Sequence, residues 1–303
     1  MIGFAEHTAL RMLRARGCRS TFLEAGEARI HALELDGHGD GPTLVLLHGL
    51  GADCLSFTSL MFRLRAKFER IVIPDLPGHG WSDAVDGLTP HKMMSSLAEA
   101  LDALVTSPAA IVGTSLGGMC AARYAAMRPS NVASLMLIAP GGAQLDEASL
   151  KELLKTFEIE AHGDALAFVD RCFVNLPWAV RHVLAAGVKR RMSNPALRAT
   201  IDRFGPEDML RPGELASIRA PTLLVWGAEE RLLPESSLEF YQRHLPRGAR
   251  VERWLNFGHA GFLEQPRVMA QRIANFARDT QVGEWEPPRL RWLPASATLY
   301  ASP

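Results

Sequence analysis

The sequence predicts an α/β protein organised on a mostly parallel, doubly wound sheet. Three observations predict it. Short apolar runs alternate with longer stretches of helical periodicity, the order expected when each parallel strand returns through a helix. The runs are nearly continuous in Val, Leu and Ile, as strands covered on both faces must be. The alternation stops once, between Gly141 and about Pro212, where only helical patterns occur.

The elements follow in order. The opening stretch, MIGFAEHTALRMLRARGCR, reads as an amphipathic helix, with Ile2, Leu10 and Leu13 apolar and Arg11, Arg14, Arg16 and Arg19 basic. Such a helix is expected to pack on its own domain, and its basic face leaves open a weak contact with a membrane surface. CRSTFLEAG and ARIHALELDG read as an antiparallel pair forming one edge. TLVLLHG (43–49), RIVIPD (70–75), AAIVGTS (109–115), SLMLIAP (134–140), TLLVWG (222–227) and ARVERWL (249–255) read as strands. The stretches SFTSLMFRLRAKF, HKMMSSLAEALDALV, GGMCAARYAAMR, ESSLEFYQRHL and QPRVMAQRIANFARD between and after them read as helices. The segment 141–212 is then a helical insertion after the sixth strand, whose amphipathic helices must bury an apolar face, most simply on top of the sheet. The division is 1–140 and 213–280 for the core, 141–212 for a helical cap and 281–303 for a Pro-rich extension, with Trp285 and Trp292 as the residues to pin it down.

Composition narrows the partners. Lys plus Arg equals Asp plus Glu, 33 each, so no global field favours nucleic acid. The four cysteines form no CxxC pair and read as reduced thiols, which suits a cytoplasm. No apolar run reaches the roughly 18 to 20 residues that a membrane span needs. Glu6 and His7 interrupt the place where a signal peptide has its apolar centre. The expectation is a cytoplasmic protein, with peripheral membrane contact through the N-terminal helix as the open alternative.

Chemistry gathers at the ends of the strands. Gly113-Thr114-Ser115-Leu116-Gly117 joins a strand to a helix as G-x-S-x-G, a turn sharp enough to hold a serine hydroxyl above the sheet. Ser115 is the candidate nucleophile. It stands at a helix N-terminus, where backbone N–H groups favour developing negative charge. Neither G-x-G-x-x-G nor a following Lys is present, so a nucleotide site is excluded. His48-Gly49-Leu50-Gly51 ends an early strand. An acyl-transfer site needs two N–H donors about 3 Å from the oxyanion, and Leu50 and Leu116 are the candidates. His48, and His79 and Asp75 in DLPGHGWSD, read as loop-ordering residues. His259, flanked by Gly258 and Gly261 in a loop before the last long helix, is the candidate base, because a serine hydroxyl needs a neutral imidazole to accept its proton.

Together these residues resemble the α/β-hydrolase family. The resemblance spans roughly residues 25 to 280 and includes HGLG, DLPGHGWSD, GTSLGG, the strand ending in WG and FGHAGFLEQP, in the family's order of Ser, acid, His. GTSLGGMCAARYAAMRPSNVASLMLIAPGG, followed by a helical cap, is most similar to monoacylglycerol lipase and esterase members. The family's acid, usually Asp in WGxxDxxxP, falls on Glu230, one methylene longer and so reaching about 1.5 Å further. The resemblance implies that Glu230 orients His259, with Glu229 and Asp146 as rivals and Glu229 otherwise a solvated neighbour. It implies ester hydrolysis through Ser115, His259 and Glu230, with no metal or organic cofactor and a small acyl ester as partner. A serine at the nucleophile position argues against the family's dehalogenases and epoxide hydrolases, which use Asp. The cap residues Leu145, Leu150, Leu153, Leu154, Phe157, Phe168, Phe173, Leu176 and Trp178 are expected to form its packing face and to favour a lipid-like or medium-chain acyl group. Carbon–carbon bond hydrolysis, acyl transfer to an alcohol and ligand binding without turnover are the alternatives.

Overall fold

The computed structural model describes residues 3–83, 87–283, 285 and 299–300. Helix α1 (Phe4–Ala15) leads into the hairpin β1 (Arg19–Ala25) and β2 (Ala28–Asp36). Then follow β3 (Leu44–Leu47), α2 (Thr58–Leu64), β4 (Arg70–Pro74), α3 (Pro90–Leu104), β5 (Ala109–Ser115), α4 (Leu116–Met127) and β6 (Val132–Pro140). Five helices precede the next strand: α5 (Glu147–Lys155), α6 (His162–Cys172), α7 (Trp178–Met192), α8 (Pro195–Ile201) and α9 (Pro212–Ala216). β7 (Thr222–Gly227), α10 (Glu235–His244), β8 (Arg250–Trp254), α11 (Gly261–Glu264), α12 (Pro266–Gln281) and a two-residue strand β9 (Leu299–Tyr300) complete the described chain.

The nine strands form one sheet in the order β1-β2-β4-β3-β5-β6-β7-β8-β9. β1 and β2 pair antiparallel, and β2 pairs antiparallel with β4; every other pairing is parallel. The predicted edge hairpin and parallel core are both present. The chain runs from β3 to β4 on one side, then passes back across β3 to β5 on the other. That reversal opens a crevice at the carboxyl ends of β3 and β5, where ligands of open α/β sheets bind.

Strand side chains alternate between two buried layers. Val45, Leu47, Ile111, Leu135 and Leu224 face α3, α4 and α10. Leu44, Leu46, Val112, Met136 and Val225 face α1, α2 and α12. Both faces are covered, which is why the strand sequences read as unbroken apolar runs. Each such Leu or Ile contributes roughly 1.5–3 kcal/mol through burial. A third apolar cluster, including Phe157, Val169, Ala185 and Met192, lies within the helices inserted between β6 and β7.

The two ends of the chain have structural employment. Leu10 and Leu13 of α1 are buried in the core layer. Leu10 and Leu13 are therefore committed to their own domain, while Met12 is exposed; Ile2 lies outside the described residues. Trp285 packs edge-on against Phe276, with ring centroids 4.6 Å apart, and lies under the Arg250 guanidinium. β9 adds a parallel rung beside β8. Trp292 lies outside the described residues. Among the described residues no helix is long and apolar enough to cross a membrane.

Candidate active site

Ser115 is the last residue of β5 and the N-cap of α4, with φ 52° and ψ −122°. A non-glycine residue in this region costs about 1–3 kcal/mol and persists only where its surroundings dictate it. Here they do. A Cβ on Gly113 would stand 2.3 Å from the Gly117 carbonyl oxygen, and one on Gly117 would stand 2.2 Å from that of Leu47. Backbone therefore packs on backbone around the turn, and the Gly141 N–H donates to the Ser115 carbonyl at 2.9 Å. Leu116 opens α4, so its N–H has no partner within the helix.

The loop after β3 approaches the same point. A Cβ on Gly49 would lie 3.1 Å from Ser115 Cβ, and Leu50 and Ser115 line one cavity. His48 is fully buried. Its Nε2 accepts from the Leu76 N–H at 3.0 Å, so Nδ1 carries the proton and donates to the Gly49 carbonyl at 2.9 Å. Burial pushes its pKa down, so it stays neutral and works as a loop fastener. Asp75 plays the same part beneath. It accepts from the Cys54 N–H at 2.7 Å, from His31 Nδ1 at 2.8 Å and from the Trp81 N–H at 2.9 Å. His79 donates from Nδ1 to the Pro77 carbonyl at 3.0 Å, and burial pushes its pKa down to about 4. His31, Cys54 and Asp75 are the one trio of possible metal ligands among the described residues. Its carboxylate is occupied by these donors and burial drives the Cys54 thiol well above its usual range, so the trio suits packing better than a metal.

β7 and the loop after β8 complete the arrangement. His259 Nδ1 donates to Glu230 Oε2 at 2.9 Å, and the Glu230 side chain is only 2% exposed. Glu230 Oε1 accepts from the N–H groups of Leu232 at 2.8 Å and Leu233 at 3.1 Å. Burial alone would raise the pKa of this carboxyl, but the His259 charge and hydrogen bond, with those two N–H groups, hold it below its ordinary value. The extra methylene of Glu is thus taken up by a carboxylate that fastens its own loop while it grips the imidazole.

Neither rival acid reaches His259. Asp146 is exposed and caps α5, accepting from the Ser149 N–H at 2.9 Å and the Ser149 hydroxyl at 2.6 Å. Glu229 is half-buried and does more than the solvated neighbour expected from the sequence. Its N–H donates to the Phe257 carbonyl at 3.2 Å, and its Oε2 accepts from the Phe257 N–H at 3.0 Å. It clasps the strand-end loop of β7 to the loop that carries His259. A Cβ on Gly227 would stand 1.9 Å from the same Phe257 carbonyl, so here too backbone meets backbone. The inserted helices add a third tie, from the Ala260 N–H to the Cys172 carbonyl at 2.8 Å.

Ser115 and His259 face a common cavity of about 170 Å³. No hydrogen bond links them among the described residues, and such contacts are often long before substrate binds. The cavity walls are largely apolar. Phe157, Phe168 and Phe173, expected from the sequence only as part of the packing face of 141–212, line it together with Leu184, Val188 and Met192 of α7 and with Leu232 and Phe262. Trp178, counted with the packing face from sequence, is 73% exposed. Arg191 was not expected at all: it lines the cavity from α7, a placement set by long-range packing with no local sequence signal.

Residues 44–272 match the model of the alpha/beta hydrolase family. The chain belongs to the α/β-hydrolase family. Among its relatives is the monoacylglycerol lipase abhd6-B of Xenopus laevis, 27% identical over 80% of this chain and 77% of that protein. Another is the dihydrolipoyllysine-residue acetyltransferase component of the acetoin cleaving system of Pseudomonas putida, 30% identical over 88% of this chain and 71% of that protein. A solved membrane phospholipase A superposes with a TM-score of 0.76 at 27% identity, covering 92% of this chain and 93% of that one. The naproxen esterase of Bacillus subtilis shares the fold, with a TM-score of 0.67 at 21% identity over 91% of this chain and 99% of that one. Ser115, Glu230 and His259 of this α/β-hydrolase all fall within the matched span, whereas α1 precedes it.

Proposed function

We propose that this α/β-hydrolase cleaves carboxylic esters by acyl transfer, with Ser115 as nucleophile, His259 as base and Glu230 as the orienting acid. The observation that carries the reading is the 2.9 Å contact from His259 Nδ1 to a buried Glu230 carboxylate, in the wall of the cavity that holds Ser115. With Nδ1–H committed to Glu230, Nε2 is left as the acceptor. His259 takes the Ser115 proton as Oγ attacks the ester carbonyl, and the imidazolium that forms is stabilised by Glu230. Charge on the carbonyl oxygen is received by the Leu50 and Leu116 N–H groups. His259 then protonates the leaving alcohol. Water, deprotonated by the same imidazole, releases the acid and restores Ser115.

The helices of 141–212 act as a cap over this site and set the acyl preference. Phe157, Phe168, Leu184 and Val188 favour an aliphatic chain over a sugar or a peptide. A volume of about 170 Å³ is below the roughly 300–1,000 Å³ of drug-sized sites, which points to short or medium acyl chains while the cap stays in place. The similarity to a monoacylglycerol lipase supports a lipid-like ester.

The direct test is labelling with a serine-directed fluorophosphonate. Wild type is expected to label and Ser115→Ala not to. Equal labelling of both removes Ser115 as nucleophile, and no labelling of either favours ligand binding without turnover. A series of p-nitrophenyl esters, with a monoacylglycerol included, then reads chain length; a kcat/KM maximum at acetate, with no gain from longer chains, would refute the lipid-like preference.

A further inference from the structure

The loop that carries the Leu50 N–H is fastened at both ends, by different parts of the molecule. At its start, His48 binds the core through the Leu76 N–H at 3.0 Å. At its end, Asp53 Oδ1 accepts from the Leu55 N–H at 3.0 Å, and Asp53 Oδ2 accepts from Arg191 Nη2 at 2.6 Å. Arg191 stands on α7, the helix whose Leu184, Val188 and Met192 wall the cavity. The contact is backed by packing: at Gly51, with φ +71°, an added Cβ would lie 2.4 Å from Met192 Cε. Asp53 is 4% exposed, and burial raises its pKa against the pull of Arg191.

Helix α1 closes the set. Glu6, itself buried, is bonded to Arg190 and lies 3.8 Å from Arg191, while its second oxygen accepts from the Gly3 N–H at 3.0 Å. Two acids and two arginines from α1, the loop after β3 and α7 therefore neutralise one another across the seam between cap and core. Because these charges are mutually paired, the cluster reads as a joint and not as a ligand site.

We propose that Arg191 is a positioning residue: its ion pair with Asp53 holds the Leu50 loop in working geometry only while α7 is seated over the cavity, and Glu6 holds α7 in that seat. The inference rests on the ester-hydrolase reading above. Lifting α7 separates Arg191 from Asp53 and leaves a buried carboxylate without its counter-charge, a state that drives the loop out of place. Seating the cap restores both. Closure and oxyanion binding are in this way one event.

The test uses the full chain, p-nitrophenyl acetate, whose acyl group is too short to depend on the cap walls, and a fluorophosphonate as probe of oxyanion chemistry. Loss of an oxyanion donor costs about 10²–10³ in kcat. Arg191→Met is expected to lower kcat at least about tenfold, with KM within about threefold and the phosphonylation rate falling in parallel. Arg191→Lys is expected to recover part of the loss. Asp53→Asn combined with Arg191→Met should be no worse than Arg191→Met alone, because both break one contact. Glu6→Gln, on a helix outside the matched family span, should lower kcat about two- to fivefold and serves if Arg191→Met does not fold. Arg191→Met with kcat within twofold of wild type overturns the proposal. So does a change confined to KM, which would make Arg191 a wall contact, or losses from Asp53→Asn and Arg191→Met that multiply. If Arg191→Met does not fold, Glu6→Gln at wild-type kcat overturns it. Undiminished labelling of Ser115→Ala would instead remove Ser115 as nucleophile, and wild type that neither labels nor turns over an ester would remove the ester-hydrolase reading itself, both separable results.

Discussion

Two buried carboxylates in this protein each grip a histidine, and the environments of the two pairs differ. Glu230 meets His259 at 2.9 Å and Asp75 meets His31 at 2.8 Å. Both carboxyls are raised by burial and brought back below their ordinary values by the imidazole and by backbone N–H groups. His259 borders a cavity with Ser115 in its wall. His31 is fully buried, and its other nitrogen is engaged by the Ser20 hydroxyl at 2.8 Å. A carboxylate–histidine bond is therefore a fastening in one place and, in the mechanism proposed above, half of a proton-transfer device in the other. What separates them is access and a free second nitrogen, not bond length or the direction in which the carboxyl pKa is moved.

The comparison breaks most visibly at the histidines. His259→Ala is expected to lower kcat on a p-nitrophenyl ester at least about ten-thousandfold, read by steady-state kinetics. Next come the acids. Glu230→Gln should lower kcat at least about a hundredfold with modest change in melting. Asp75→Asn should do the reverse, holding the kcat of folded protein within about threefold while removing about 3 kcal/mol of stability in a urea titration. If Asp75→Asn proves as damaging to kcat as Glu230→Gln, the distinction fails. Acid titration sharpens it further. A carboxyl held below its ordinary value, 4.5 for Glu230 and 3.8 for Asp75, stabilises the fold above that value. This contribution is lost as pH falls through the lower folded value. Melting temperature should therefore fall on acidification below about pH 4.5, and less steeply in Glu230→Gln than in wild type; parallel curves would refute the assignment of depressed pKa. The smallest effect is expected from Glu229→Gln, which keeps one acceptor for the Phe257 N–H: roughly 1 kcal/mol of stability and a kcat within about fivefold.

Much of this was legible in the sequence, for reasons that differ by element. The parallel core could be read because strands buried on both faces have no choice but to be largely apolar, as 44–47 and 223–226 are. Ser115 could be read because the steric demand at Gly113 and Gly117 is local, and leaves its mark within five residues. Glu230 needed the order of the family's motifs, since nothing around it distinguishes it from Glu229. The clasp made by Glu229, the Arg191–Asp53 pair and the Glu6 contact were not legible. Each joins residues between 28 and 184 positions apart, and an ion pair at such range constrains neither neighbour's sequence. Of the tail, Trp285 was read from the sequence as a pin and packs on Phe276, whereas β9 escaped, because an edge strand of two residues has too little pattern to recognise.

The glycine contacts that hold the site together carry a consequence for how it tolerates change. At position 230, a side chain one methylene longer than Asp is accommodated, and its carboxylate still reaches the imidazole of His259. At Gly227 a single methyl would stand 1.9 Å from the Phe257 oxygen. The difference is one of slack. Side-chain tips hang from rotatable bonds and absorb an added carbon by bending; backbone joints are rigid and have no clearance to give. Retooling of this enzyme is thus open at the tips, at Glu230 and along the cavity walls, and closed at its hinges of bare backbone.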